Sequence, residues 1–224
     1  EIQLVDVSDP SNLSLVGVYA NANAGIPLAS LGTMLYVAGT QGAVELYIVD
    51  ISNPSSPTQA GTYNVSGIYN SPEHMLIAGG FAYLSYGTYG MDALDISNPF
   101  QPTRIRRTSS YVFDISLSGN YLYAIGETTV SGIRRSGLVV YDVTNPAQFT
   151  RVGFYETRNP RGVDVSGNYA YVADYETGVR VIDVSNPTAP FEVGAFVPPD
   201  MIVHVAVSGA RVYLFDRNGT FRVV

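Results

Sequence analysis

An apolar run closed by an acidic turn occurs five times along this chain. Asp6-Val7-Ser8-Asp9-Pro10 recurs as Asp50-Ile51-Ser52-Asn53-Pro54, Asp95-Ile96-Ser97-Asn98-Pro99, Asp142-Val143-Thr144-Asn145-Pro146 and Asp183-Val184-Ser185-Asn186-Pro187. Successive Asp residues are 44, 45, 47 and 41 positions apart. A period in the low forties with room for four strands marks a β-propeller blade. A repeat running end to end over 224 residues makes residues 1–224 a single propeller domain.

One copy shows the construction. Arg161-Gly162-Val163-Asp164-Val165 alternates as an innermost strand does, and Ser166-Gly167-Asn168 is a tight turn in which Gly supplies positive φ. Residues 169–174 and 179–183 form the second and third strands. Val184-Ser185-Asn186-Pro187 ends the third, because Pro cannot donate to the next ladder position. Residues 191–196 form the fourth. The other copies align on the inner-turn glycines Gly32, Gly79, Gly119, Gly167 and Gly209, and on the second-strand tyrosines Tyr36, Tyr83, Tyr123, Tyr171 and Tyr213. Each sheet is apolar on both faces, so stability comes from stacking blade on blade.

Leu46-Tyr47-Ile48-Val49-Asp50 and Leu138-Val139-Val140-Tyr141-Asp142 resemble the name-giving segment of the LVIVD-repeat family. These are propeller-like repeats of bacterial and archaeal cell-surface proteins, and the resemblance covers nearly the whole chain. It implies a propeller fold and an exported or surface location. The family has no common catalytic set, so it transfers no active residue.

Inner strands start near residues 26, 74, 113, 161 and 203, which predicts five four-stranded blades. The outer strand of the last blade is expected from residues 13–19, an N- and C-terminal strand closure. One third-type strand, residues 1–6 or 220–224, is then surplus. Three explanations stand open: the chain is part of a longer protein with more blades, the strand packs peripherally, or it adds to a neighbouring molecule's sheet edge. Strand addition satisfies main-chain donors and acceptors, and head-to-tail repetition gives a filament. The absence of an initiator Met and of a signal peptide makes Glu1 read as a processed or trimmed start.

Composition narrows the partners. The net charge of −7 disfavours nucleic acid, which calls for a basic face. No apolar run of transmembrane length occurs, so membrane insertion is not expected. With no cysteine there are no disulfides and no thiolate sites.

The turns between strands one and two, and three and four, are uniform and read as scaffold. Those between strands two and three, and between blades, share the opposite face and vary, as in residues 21–25, 65–73 and 197–201. The longest second-to-third turn, residues 126–137, carries Arg134 and Arg135. Variable loops on a rigid scaffold are where binding groups sit. Five residues before each inner-turn glycine stand Pro27, His74, Asp114, Gly162 and His204, flanked by Glu73 and Arg161. Glu73, His74, Asp114, Arg161 and His204 are the candidate polar-ligand or glycan site, with Arg134 and Arg135 beside it. His74, Asp114 and His204 are the candidate divalent-metal ligands; no other cofactor is expected. The Asp repeated in every third strand reads as structural, accepting from amides of its turn. Arg104, Arg106 and Arg107 on a fourth strand, where alternation puts Arg104 and Arg106 on one side and Ile105 on the other, read as edge protection, with contact to an acidic glycan or an anionic surface as the alternative. Asn12, Asn64 and Asn218 match the glycosylation pattern.

No nucleophile elbow, phosphate loop or His-Glu-x-x-His occurs. A hydrolase would need Glu73, Asp114 and Asp164 to converge across blades. The expected function is therefore a non-enzymatic structural or interaction propeller, exported, with protein or glycan partners at the variable-loop face and possible self-assembly by strand addition.

Overall fold

The computed structural model describes residues 1–21, 23–40, 44–64 and 71–224. Every regular element among them is a strand except one single-turn 3-10 helix, Pro146–Gln148. After the hairpin β1 (Ile2–Asp6) and β2 (Ser14–Tyr19) come five sheets, each opened by an inner strand. The first is β3 (Ala24–Leu31), β4 (Met34–Gly39), β5 (Val44–Asp50) and β6 (Thr58–Asn64). The second is β7 (His74–Ala78), β8 (Phe81–Ser85), β9 (Met91–Asp95) and β10 (Thr103–Thr108). The third is β11 (Tyr111–Ser118), β12 (Tyr121–Val130), β13 (Ile133–Asp142) and β14 (Thr150–Glu156). The fourth is β15 (Gly162–Ser166), β16 (Tyr169–Ala173), β17 (Val179–Asp183) and β18 (Phe191–Phe196). The fifth has three strands, β19 (Ile202–Ser208), β20 (Arg211–Asp216) and β21 (Phe221–Val223). Neighbours in each sheet are consecutive in sequence and antiparallel, as in blades.

The strand over residues 13–19, expected to complete the last blade, pairs instead with β1 in the register Ile2↔Tyr19 to Asp6↔Ser14. The short turn after Asp6 makes this the pairing with the smallest closure entropy. The surplus third-type strand thus has a partner, and together they form a third-and-fourth-strand pair ahead of the first complete blade.

Two compact units divide the chain. One holds Glu1–Leu84 and Asp92–Ile105, the other Ser85–Met91 and Arg106–Val224. In the first, Ile2 and Tyr19 pack on Val37, Tyr47 and Val49, so the β1–β2 pair covers one face of the first blade. In the second, Tyr123, Ile125, Leu138 and Val140 of the third blade meet Val163, Ala170, Val172 and Ile182 of the fourth. The fourth blade's Ala173 and Val179 then meet Ile202, Val205 and Leu214 of the fifth. Alternation at period two supplies both faces, one residue set for each neighbour.

All five inner-turn glycines have φ between 57° and 59°, the left-handed conformation that a two-residue hairpin needs at its first central position. The Asp of each third strand works as expected. Its Oδ1 accepts from the amide two residues on: Ser8 to Asp6, Ser52 to Asp50, Ser97 to Asp95 and Ser185 to Asp183 at 2.8 Å, Thr144 to Asp142 at 2.9 Å. A second cap follows, in which the residue before Pro accepts from the amide of Ser11, Ser55, Phe100, Ala147 or Thr188.

Candidate functional site

The inner strands carry most of the residues singled out from the sequence. In the first unit Pro27 lies within β3 and His74 is the first residue of β7, with the exposed Glu73 just before it. In the second unit Asp114, Gly162 and His204 lie on β11, β15 and β19. Gly162 and His204 come together: a Cβ on Gly162 would stand 3.1 Å from the His204 Cα and from the Val203 carbonyl oxygen. Arg161 places its guanidinium over the Tyr175 ring, 5.4 Å from the centroid.

Asp114 is buried and its carboxylate is committed. Oδ1 accepts from the Ile115 amide at 2.8 Å, and Oδ2 from the Val163 amide of the next blade at 2.9 Å. Asp164 repeats the device one blade later. Its Oδ1 accepts from the Val165 amide (2.8 Å) and from Ser116 Oγ (3.2 Å), and its Oδ2 from the Val207 amide at 2.7 Å. These two carboxylates stitch β11 to β15 and β15 to β19, a role the sequence reading did not assign to them. Among the described residues no three His, Cys, Asp or Glu side chains gather in a metal-holding group.

Residues 126–137, read from sequence as a long loop, are paired strand. β12 and β13 run in register from Tyr121↔Asp142 to Val130↔Ile133. Ser131 and Gly132, with φ of 49° and 80°, close them with positive φ at both central positions, as a type I′ turn requires. Arg134 on this hairpin is held by Glu127 at 3.3 Å and lies 4.5 Å from the Tyr111 ring centroid. A hydrogen bond with the Tyr111 side chain, and after it the charge of Glu127, raise its pKa further. Arg135 pairs with Glu156. Asn12, Asn64 and Asn218 are all exposed; Val65 and Ser66 of the Asn64 pattern lie outside the described residues, as does most of the loop at 65–73.

Three buried carboxylates escaped the sequence reading: Asp92 of β9, which accepts from the Tyr63 hydroxyl at 3.3 Å, Asp174 and Asp216. Asp174 accepts from the Asn159 amide (2.6 Å) and from Arg180 Nε (3.2 Å), tying the linker ahead of β15 to β17. Asp216, at the equivalent place in the last blade, accepts from the Asn218 and Thr220 amides at 2.8 and 2.9 Å. Asp174 and Asp216 both fall seven residues after an inner-turn glycine, and that common offset was the available signal.

The repeats can now be placed among known proteins. Residues 1–21, 28–65, 73–108, 109–157 and 158–197 match the LVIVD repeat. The chain belongs to the LVIVD-repeat family. No curated protein matches it. Among solved structures it is similar to BamB from Moraxella catarrhalis, at 12% identity and a TM-score of 0.65, over 94% of this chain and 60% of that one. It is also similar to the Pan2 WD40 domain of Neurospora crassa, at 16% identity and TM-score 0.61, over 85% and 58% of the two chains. The computationally designed Ika4 protein matches at 10% identity and TM-score 0.54, over 72% of this chain and 94% of its own. The LVIVD chain thus spans about three-fifths of the BamB and Pan2 chains. At these identities the likeness shows the fold, an all-β propeller. Among the described residues no helix is long and apolar enough to cross a membrane.

Proposed function

We propose that this LVIVD chain is a non-enzymatic interaction propeller of an exported or cell-surface protein, which presents its variable-loop face to a protein or glycan. The observation that carries this reading is where the repeated polar chemistry goes. In all five copies the third-strand Asp and the residue before Pro spend their side-chain acceptors on amides of their own turn. Asp114 and Asp164 spend theirs on neighbouring strands. The repeat therefore builds scaffold, and what differs between blades is left to the loops.

Self-assembly by strand addition is the finer form of this reading. In the four complete blades the third strand carries a fourth, whereas β21 is the edge of its sheet. The test is light scattering coupled to size-exclusion chromatography over a range of concentrations. Growth into polymers that deletion of residues 1–8 abolishes is expected, and monomer at every concentration overturns the self-assembly. Fractionation of the producing cell tests export: chain confined to the cytosol overturns that part. In the same scattering assay, His74→Ala combined with His204→Ala is expected to leave assembly unchanged. Loss of assembly in that variant would give the histidine end of the inner strands the role instead.

A further inference from the structure

One position of the outer strand is glycine in four of five copies. Ser14-Leu15-Val16-Gly17, Thr58-Gln59-Ala60-Gly61, Thr150-Arg151-Val152-Gly153 and Phe191-Glu192-Val193-Gly194 share it; β10 reads Thr103-Arg104-Ile105-Arg106. The glycine has a steric purpose. A Cβ on Gly17 or Gly153 would overlap the carbonyl oxygen of Pro54 or Pro187, and one on Gly61 that of Phe100. These three glycines thus let the next blade's Asn-Pro turn rest directly on the strand. At β10 that seat is filled by a long cationic side chain.

The third blade differs from its sisters in the corresponding turn. Its turn winds into the 3-10 helix Pro146–Gln148, capped by Asn145, and buries Phe149. The Arg106 guanidinium lies over that ring, 5.2 Å from the centroid. Beside this ring lies a cavity of about 530 Å³, wholly within the second unit. Its walls carry Arg106, Arg107 and Arg151 together with the hydroxyls of Ser110, Thr128 and Tyr141, and no Asp or Glu. Tyr141 and Arg151 are register partners and so share the face of their sheet that lines the cavity.

Two of these guanidinium groups, those of Arg106 and Arg151, have no carboxylate among the described residues. Arg151 Nη1 donates to Thr128 Oγ1 at 3.0 Å and to the Thr129 carbonyl oxygen at 2.8 Å, acceptors that hold the guanidinium in place and leave its charge uncompensated. Arg106 rests on a ring. Elsewhere in this unit Arg134, Arg135, Arg180 and Arg222 each have a carboxylate, but among the described residues neither Arg106 nor Arg151 does. In a chain of net charge −7, two uncompensated guanidinium groups in one concavity form a local anion trap.

We propose that this cavity is a binding site for an acidic saccharide, a carboxylated or sulfated sugar unit whose oxyanion is taken by Arg106 and Arg151. The oxyanion meets planar guanidinium donors suited to bidentate contact. The sugar hydroxyls meet Ser110, Thr128 and Tyr141. Its volume is that of a small-molecule cleft.

The test is calorimetry of the full chain with digalacturonate, a sulfated heparin disaccharide, inorganic sulfate, inorganic phosphate and neutral maltose. Either acidic disaccharide is expected to bind, more weakly as salt is raised. Arg106→Gly, which restores the residue of the other blades, and Arg151→Gln are each expected to weaken it by about tenfold or more, the loss of one charge-assisted contact. Arg211→Gln, on β20 outside the cavity, is expected to change nothing. Amide chemical-shift mapping of the unaltered chain gives a readout independent of any variant, with ligand shifts expected at Thr128, Thr129 and Arg151. No binding of either acidic disaccharide, equal binding of maltose, unchanged affinity in both cavity variants, or shifts confined elsewhere would each overturn the assignment. So would inorganic sulfate or phosphate binding as tightly as the disaccharides, which would leave a bare oxyanion site.

Discussion

At Gly153 the only atom that fits between strand and neighbouring turn is hydrogen, because the Pro187 carbonyl occupies the space a methyl would take. Gly153→Ala is therefore expected to lose about 1–3 kcal/mol, the usual cost of overpacking a contact that cannot relax. Gly194 stands at the same point of the fourth blade with nothing within 4 Å of its Cβ position. Gly194→Ala should be neutral or gain up to about 1 kcal/mol by restricting the unfolded chain. Urea denaturation of both variants decides the matter, and equal losses would refute the packing account. This position also shows what the sequence made legible. The Asp turns and inner-turn glycines announce themselves because their chemistry is local, within two residues. The outer-strand glycine answers to a turn tens of residues away, so Arg106 in its place reads as one more charge on an edge strand. Its exposed neighbour Arg104 and the half-buried Ile105 do follow the expected alternation.

Among the elements, the β12–β13 hairpin was misread although its signals were present. Glu127-Thr128-Thr129-Val130 and Ile133-Arg134-Arg135-Ser136 flank Ser131-Gly132, a two-residue turn. Its length, beyond any sister hairpin, made a loop the simpler reading. Ser131 pays a steric cost at φ 49° that Asn bears more lightly. Ser131→Asn is expected to stabilise by about 0.5 kcal/mol, in keeping with the preference of such turns for Asn-Gly. A lower Tm for that variant would argue against the turn assignment. The inner strands depend on a different kind of contact. Asp164→Ala leaves the Val207 amide and Ser116 Oγ without their acceptor and should cost about 1–3 kcal/mol. Hydrogen exchange is expected to quicken first at Val207, across the blade boundary; acceleration confined to β15 would remove the stitching role. No residue-type pattern along one strand could have revealed this clamp, since donor and acceptor sit 43 residues apart.

The whole molecule inherits an acid sensitivity from its repeat. Amide and hydroxyl donors of each turn hold Asp6, Asp50, Asp95, Asp142 and Asp183 below the usual carboxylate range. In the unfolded chain these donors are gone and the groups titrate near 3.9. A carboxyl whose folded pKa is depressed contributes stability that is complete above the unfolded pKa. That contribution disappears as pH falls through the lower folded value. Each turn is exposed and contributes little alone, but the same titration occurs in every copy and blades are stable only through their neighbours. Tm is therefore expected to be flat near neutrality and to fall below about pH 4. Asn keeps the accepting oxygen and removes the titration. A variant with Asn at 50, 95, 142 and 183 should lose stability less steeply in that window. Acid melting curves of equal slope for the two chains would place the sensitivity outside the repeated turns.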